Sequence, residues 1–161
     1  MGKVEERLAE LGLVLPPEIV VPAGVVLPFQ FVRVAGNRAF ISGHSAQNAD
    51  GTVAAPFGKV GGDVSPEQGY QAARLTALSM LASLKRKIGE LDRVTAWTRV
   101  FGMVNSAPGF NRQPNVINGF SDVILDVFGP EIGAHARSAV GMAELPFDIP
   151  VEIEAEVEFR L

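Results

Sequence analysis

The chemistry this chain could perform is concentrated near its C-terminus. In Val151-Glu152-Ile153-Glu154-Ala155-Glu156-Val157-Glu158-Phe159 carboxylates alternate with apolar residues. An extended strand of that pattern puts all four glutamates on one face and the apolar residues on the other. Like charges along one strand face are unfavourable unless cations intervene. The glutamate face therefore meets water, a partner subunit or a cleft. The stretch before it, Gly133-Ala134-His135-Ala136-Arg137-Ser138-Ala139-Val140-Gly141, sets Arg137 among small residues. Arginine suits a planar carboxylate, which it can hold through two parallel charge-assisted hydrogen bonds. His135 shares the face of Arg137 if the strand is regular. Two readings stay open here: a ligand carboxylate on Arg137, or an ion pair from Arg137 to a glutamate of a neighbouring strand.

Other chemistries lack residues. The chain has 161 residues, two histidines and no cysteine, which removes disulfides, thiolate ligands and cysteine nucleophiles and suits a reducing compartment. His44, after Ser42-Gly43, reads as a turn or surface residue, and no metal-ligand spacing is present. Gly58-Lys59-Val60-Gly61-Gly62 lacks the spacing of a phosphate-binding loop. A net charge of −4 disfavours a nucleic-acid surface, and Lys85-Arg86-Lys87 falls at a helix end, where cations suit the macrodipole. No apolar run reaches membrane-spanning length and the N-terminus has no signal-like apolar region, so the expected setting is cytoplasmic.

The elements that must position these residues follow from periodicity and punctuation. Lys3 to Leu11 is helical, and the proline- and valine-rich stretch to Leu27 is an extended arm. Residues 1–27 form an appendage packed on one domain, residues 28–161. Phe29–Val34 and Arg38–Ser42 read as a hairpin around Ala35-Gly36-Asn37, and 43–64 as mostly loop. Ser65-Pro66-Glu67-Gln68 is a capping box that opens a helix with Tyr70, Ala73, Ala77, Leu81, Leu84 and Ile88 inward, stopped by Gly89. A strand over Arg93–Val104 follows. Pro114 then opens a helix with Val116, Ile117, Phe120, Ile124 and Val127 inward, closed by Gly129-Pro130. Strands Ala136–Met142 and Val151–Phe159 end the chain. Two helices on one face of a mixed sheet make an α+β fold.

Ala136-Arg137-Ser138-Ala139-Val140, then Leu145-Pro146, then Val151-Glu152-Ile153-Glu154-Ala155, resembles in residues and intervals the C-terminal signature of the RidA (YjgF) family, also known as endoribonuclease L-PSP. Gly36-Asn37, Ile41-Ser42-Gly43 and Val116-Ile117-Asn118 fall where that family has its corresponding segments. The resemblance covers roughly residues 28 to 160. It implies a chorismate-mutase-like fold assembled as a homotrimer with sites between subunits, and cofactor-independent hydrolysis of small enamine/imine (2-imino acid) intermediates to 2-oxo acids and ammonia. It assigns the carboxylate clamp to Arg137 and water positioning to Glu152. Phe29, Ser42, Gly43, Asn118, His135 and Ala139 would line the substrate site, with no metal and no cofactor. Phe29 stands where many members have tyrosine, and Ala139 where cysteine is common. These departures favour the alternative, a non-catalytic trimeric binder of small carboxylates. Ribonuclease activity ranks last, because phosphate binding needs a basic surface.

Overall fold

The computed structural model describes residues 2–161. In chain order the elements are α1 (Lys3–Glu10), β1 (Val32–Ala35), β2 (Arg38–His44), α2 (Pro66–Ile88), β3 (Val94–Asn105), α3 (Gln113–Gly133), β4 (Ala136–Met142) and β5 (Val151–Phe159). The strands form one sheet in the order β1-β2-β5-β3-β4. All neighbours are antiparallel except β3 and β4, which run parallel. A parallel pair needs a crossover, and α3 supplies it.

Alternation decides the role of β5. Val151, Ile153, Ala155, Val157 and Phe159 are buried under the helices, whereas the four glutamates point to the uncovered face. Each fully buried side chain of the size of Ile153 contributes roughly 1.5–3 kcal/mol. A one-residue slip would turn all of that surface to water, so the register is firmly specified. Next to β5, Trp97, Val100 and Val104 of β3 complete the floor on which α3 lays Val116, Ile117, Phe120 and Ile124.

The capping box forms as its residues require. The Ser65 hydroxyl accepts from the Gln68 amide at 3.1 Å, and the Gln68 side chain accepts from the Ser65 amide at 2.9 Å. α2 buries Ala73, Ala77, Leu81, Leu84 and Ile88, but Tyr70 departs from the expected stripe. It is only half-buried, and its hydroxyl donates to Asp122 on α3 at 2.6 Å. The two helices approach closely because position 119 carries no side chain: a Cβ there would collide with the carbonyl oxygen of Tyr70. α3 breaks at Gly129, whose φ of 75° and ψ of 172° are non-helical, and a last turn continues from Pro130.

The first strand is shorter than the sequence pattern suggests. Phe29, Gln30 and Phe31 precede β1 rather than belonging to it, and the hairpin turn is reduced to Gly36-Asn37. Pro28 withholds a donor at this point, and the arm beside it is irregular. α1 packs through Val4 and Leu8, and the Asp92 carboxylate accepts from the free amides of Lys3 and Val4. No described helix is long and apolar enough to cross a membrane.

Candidate active site

The eight residues singled out above fall into two groups. Arg137, His135, Asn118 and Ala139 gather where edge strand β4 meets α3. Glu152, Gly43 and Ser42 gather around β2 and β5, whereas Phe29, just before β1, lines a cavity that takes in none of those three.

The first group is built on strand register. Arg137 pairs with Val100, which is buried beneath α3, so Arg137 also points to the helical face. Successive turns of α3 meet it. Nη1 donates to Asn118 Oδ1 at 2.9 Å and to Ser121 Oγ at 3.0 Å, while Nη2 reaches the Pro114 carbonyl at 3.4 Å. Positions 114, 118 and 121 share a helix face through their spacing of four and three. Among the described residues Arg137 makes no ion pair with a glutamate of a neighbouring strand, the other open reading; α3 supplies the polar partners instead. Nη1 is therefore fully engaged, whereas Nε takes no partner among the described residues. The Nε–Nη2 edge is the one that binds a carboxylate side-on. Burial lowers the guanidinium pKa and nearby Asp122 opposes that shift, and the group stays cationic at any ordinary pH.

His135 lies just before β4 and joins the same cluster. Its Nε2 is 2.9 Å from Ser121 Oγ and its Nδ1 is 2.7 Å from the Gly133 carbonyl oxygen. Burial, and to a lesser degree the charge of Arg137, push its pKa below the ordinary histidine value. Ala139 pairs with Gly102 and packs partly against the core on the same face as Arg137. Ser121 was not among the candidates read from sequence. The only signal for it was its place three residues after Asn118.

The second group rests on an irregularity. The pairing of β2 with β5 shifts register between Ile41 and His44, so Ser42-Gly43 forms a bulge. The Glu152 side chain lies across that bulge: a Cβ on residue 43 would sit 2.9 Å from Glu152 Cδ and closer still to Oε1. Glycine is thus needed for Glu152 to adopt this position. Burial first, then the charge of Glu154, raise the Glu152 pKa above the usual carboxylate value. Ser42 ties the bulge to the chain before β1, its amide donating to the Phe31 carbonyl at 2.9 Å and its hydroxyl to the Gln30 carbonyl at 2.7 Å. Phe29 is 51% exposed and meets Phe31 edge-on at 5.7 Å, on the wall of a cavity of about 410 Å³ that Arg86 and Lys87 also line. His44 is not the turn or surface residue the sequence suggested. It is buried, with Nδ1 2.6 Å from the Ser42 carbonyl and Nε2 2.9 Å from Ser83 Oγ, and burial lowers its pKa to about 4.

The remaining glutamates are partly neutralised. Arg38 pairs with Glu156 at 2.6 Å, and Arg33 and Arg99 stand beside Glu154 and Glu156 around a depression of about 240 Å³. Among the described residues no group of three metal-ligating side chains could hold an ion.

Within one chain the two groups do not face each other. Glu152 pairs with Met103 on the uncovered face of the sheet, whereas Arg137 pairs with Val100 on the helical face, two strands away.

Comparison with known proteins converges on one relationship. Residues 5–151 match the family model described as "YjgF/chorismate_mutase-like, putative endoribonuclease". The chain is 38% identical over 159 residues to protein TCP17 of Trypanosoma cruzi, covering 99% of this chain and 96% of that one. A crystal structure of Atu1372 from Agrobacterium tumefaciens, a protein of unknown function, superposes with a TM-score of 0.85 at 39% identity, covering 98% and 93% of the two chains. Yeast Mmf1 shares the fold at 18% identity and a TM-score of 0.58, covering 91% and 94%.

Proposed function

Because the chain belongs to the YjgF/chorismate mutase-like family, we propose that it hydrolyses small 2-imino acids to 2-oxo acids and ammonia, without a cofactor, in sites shared between copies of the chain. The observation that carries this reading is the state of Arg137. Its Nη1 is pinned to α3 and Nη2 spends one hydrogen on the Pro114 carbonyl at 3.4 Å, which leaves the Nε hydrogen and the second Nη2 hydrogen for a carboxylate. The division of the site residues supports the shared location: Arg137 of one copy would meet Gly43 and Glu152 of the next, closing a threefold ring.

An imine is already electrophilic, so the protein has little covalent work to do. It must hold the substrate by its carboxylate, admit one water and move protons. Arg137 supplies the hold. Glu152, ionised, takes a proton from the water as its oxygen bonds to the carbon of the protonated imine, giving a neutral tetrahedral carbinolamine. The same carboxyl returns that proton to nitrogen, then takes the hydroxyl proton as the C–N bond breaks. Ammonia and the 2-oxo acid form, and the last proton leaves with ammonia as ammonium. A carboxyl with a raised pKa suits this exchange, because a general base works best when its pKa approaches the operating pH.

A second reading, binding of a small carboxylate without turnover, is favoured by Phe29 and Ala139, which offer neither hydroxyl nor thiol. One experiment separates the two. The protein is mixed with a pulse of enzymatically generated 2-iminopropanoate, and semicarbazide traps the imine that remains. The deaminase reading expects less semicarbazone than in the protein-free control. An unchanged amount, with small carboxylates still raising the melting temperature, leaves the binder. An RNA substrate finds little support in a chain of net charge −4.

A further inference from the structure

We infer that His135 is a positioning residue that aims the Arg137 guanidinium through Ser121, and that the carboxylate grip of Arg137 holds only while His135 is neutral. The inference rests on Arg137 being the carboxylate clamp.

The direction of each hydrogen bond follows from what each atom can do. A carbonyl oxygen only accepts, so at 2.7 Å from the Gly133 carbonyl His135 Nδ1 carries a hydrogen and donates it. A guanidinium nitrogen only donates, so Arg137 Nη1 gives its hydrogen to Ser121 Oγ at 3.0 Å. The Ser121 hydroxyl hydrogen is then directed to the remaining neighbour, His135 Nε2 at 2.9 Å. That nitrogen must be bare. The chain Arg137 to Ser121 to His135 to the Gly133 carbonyl is thus satisfied at every link by one protonation state, the neutral imidazole with hydrogen on Nδ1.

A proton on Nε2 breaks the pattern. Ser121 Oγ would then face two donors, and its own hydrogen would have to turn toward other atoms. Ser121 is buried, so solvent offers that hydrogen little compensation. An imidazolium would also stand one hydroxyl away from a guanidinium. Three elements bring charged or titratable groups to this cluster. β4 brings Arg137 and α3 brings Asp122; α2 brings Tyr70, whose hydroxyl already donates to Asp122. That hydrogen engages one Asp122 oxygen, Oδ2, Arg74 on α2 adds a cation beside Tyr70, and Phe120 presents only a ring, at 6.4 Å from the imidazole. The lowered pKa of His135 agrees with this accounting, because it keeps the ring neutral at physiological pH. With His135 protonated and Ser121 weakened as an acceptor, Nη1 keeps only Asn118. The other contact, from Nη2 to the Pro114 carbonyl, is long at 3.4 Å, so the direction of the free edge is less firmly fixed.

The test reads ligand binding rather than turnover, because Glu152 also titrates in acid. Calorimetry follows 2-oxobutanoate, which stays ionised throughout, from about pH 8 down to about pH 5, in a Glu152→Gln background at fixed ionic strength. Binding to this parent is expected to weaken by about tenfold in a one-proton step below the ordinary histidine pKa, the loss of one charge-assisted hydrogen bond. His135→Phe, which has no acceptor, should be weak at every pH. His135→Gln should recover affinity to within about threefold at the alkaline end, its amide oxygen accepting from Ser121, and show no step. Ser121→Ala should be weak and flat. A parent profile with no step, or a step that survives in His135→Gln, overturns the inference. Arg137→Ala serves as the separate control. If it binds 2-oxobutanoate as well as the parent does, the clamp itself is refuted. If it loses binding while the parent profile is flat, the clamp stands and only the role of His135 falls.

Discussion

The two halves of the candidate site are prepared in opposite ways. At the β4–α3 edge, Arg137 is surrounded by partners that satisfy it: Asn118, Ser121 and the Pro114 carbonyl. Over the Ser42-Gly43 bulge, Glu152 is half-buried beside Glu154, and its pKa is raised by burial. One half fixes a charge in a chosen orientation, and the other holds a charge in a place that disfavours it. Ligand binding asks for the first arrangement. Proton transfer asks for the second, because a comfortable carboxylate is a weak base.

Mutations can break that contrast. The largest effect is expected from Glu152→Gln, which keeps shape and removes the base: kcat should fall by about 10²- to 10⁴-fold in the semicarbazone assay. Its stability should move the other way. A pKa raised in the folded state means stability is greatest below the unfolded value and is lost as pH rises through the folded one. Glutamine escapes that loss, so the melting temperature at neutral pH should rise.

Arg137→Lys tests the other half. Lysine keeps the charge but not the fork, and losing an oriented charge-assisted contact costs about 2–5 kcal/mol. That predicts kcat/KM lower by roughly 30-fold to several-thousand-fold, nearly as low as in Arg137→Ala, with both variants folded by circular dichroism. A folded Arg137→Ala enzyme with full activity would end the deaminase reading.

The bulge half should also be the more acid-sensitive. His44 anchors it, and its pKa falls from 6.5 in the unfolded chain to about 4 in the fold. The contribution of the neutral ring is fully present above 6.5 and is lost as pH falls toward 4, on the order of 3 kcal/mol in all. Urea unfolding at a series of pH values checks this, with His44→Gln expected to flatten that part of the curve. The smallest effect sharpens the comparison most. Gly43→Ala places a methyl group against the Glu152 carboxylate and should lower kcat by about tenfold by shifting the base, with 2-oxobutanoate affinity nearly unchanged. An equal loss of affinity would mean that the two halves act as one unit.

Much of this was legible in the chain itself. The glutamate alternation of β5 and the Ser65 capping box are local patterns, and both appear at the expected positions. Arg137 could be singled out by its small neighbours, and Glu152 by the resemblance of the C-terminal segment to the family signature. What could not be read depends on contacts between segments distant in sequence. Ser121 matters only because α3 crosses over β4. Gly43 matters only because the β2–β5 register slips there and brings Glu152 across it. His44 looked like a turn residue because Ser42-Gly43 is turn-like chemistry, and nothing local announces that Ser83 on α2 will bury it. The separation of the two halves follows from strand order and their opposite faces from the register between strands, neither of which periodicity encodes.

The position of β4 has a further consequence, for the handling of the protein. β4 is an edge strand of seven residues, ARSAVGM, and it contains neither lysine nor proline. Its only charge, Arg137, is turned inward to α3. β1, at the opposite edge, is only four residues long. A long edge with small side chains is an open template for another strand, and proteins usually blunt such edges. A chain whose β4 edge stays uncovered would therefore be prone to sheet-to-sheet aggregation before it unfolds. Turbidity should then precede loss of helical signal on heating, and a lysine at Val140, which is 37% exposed on that strand, should delay the turbidity.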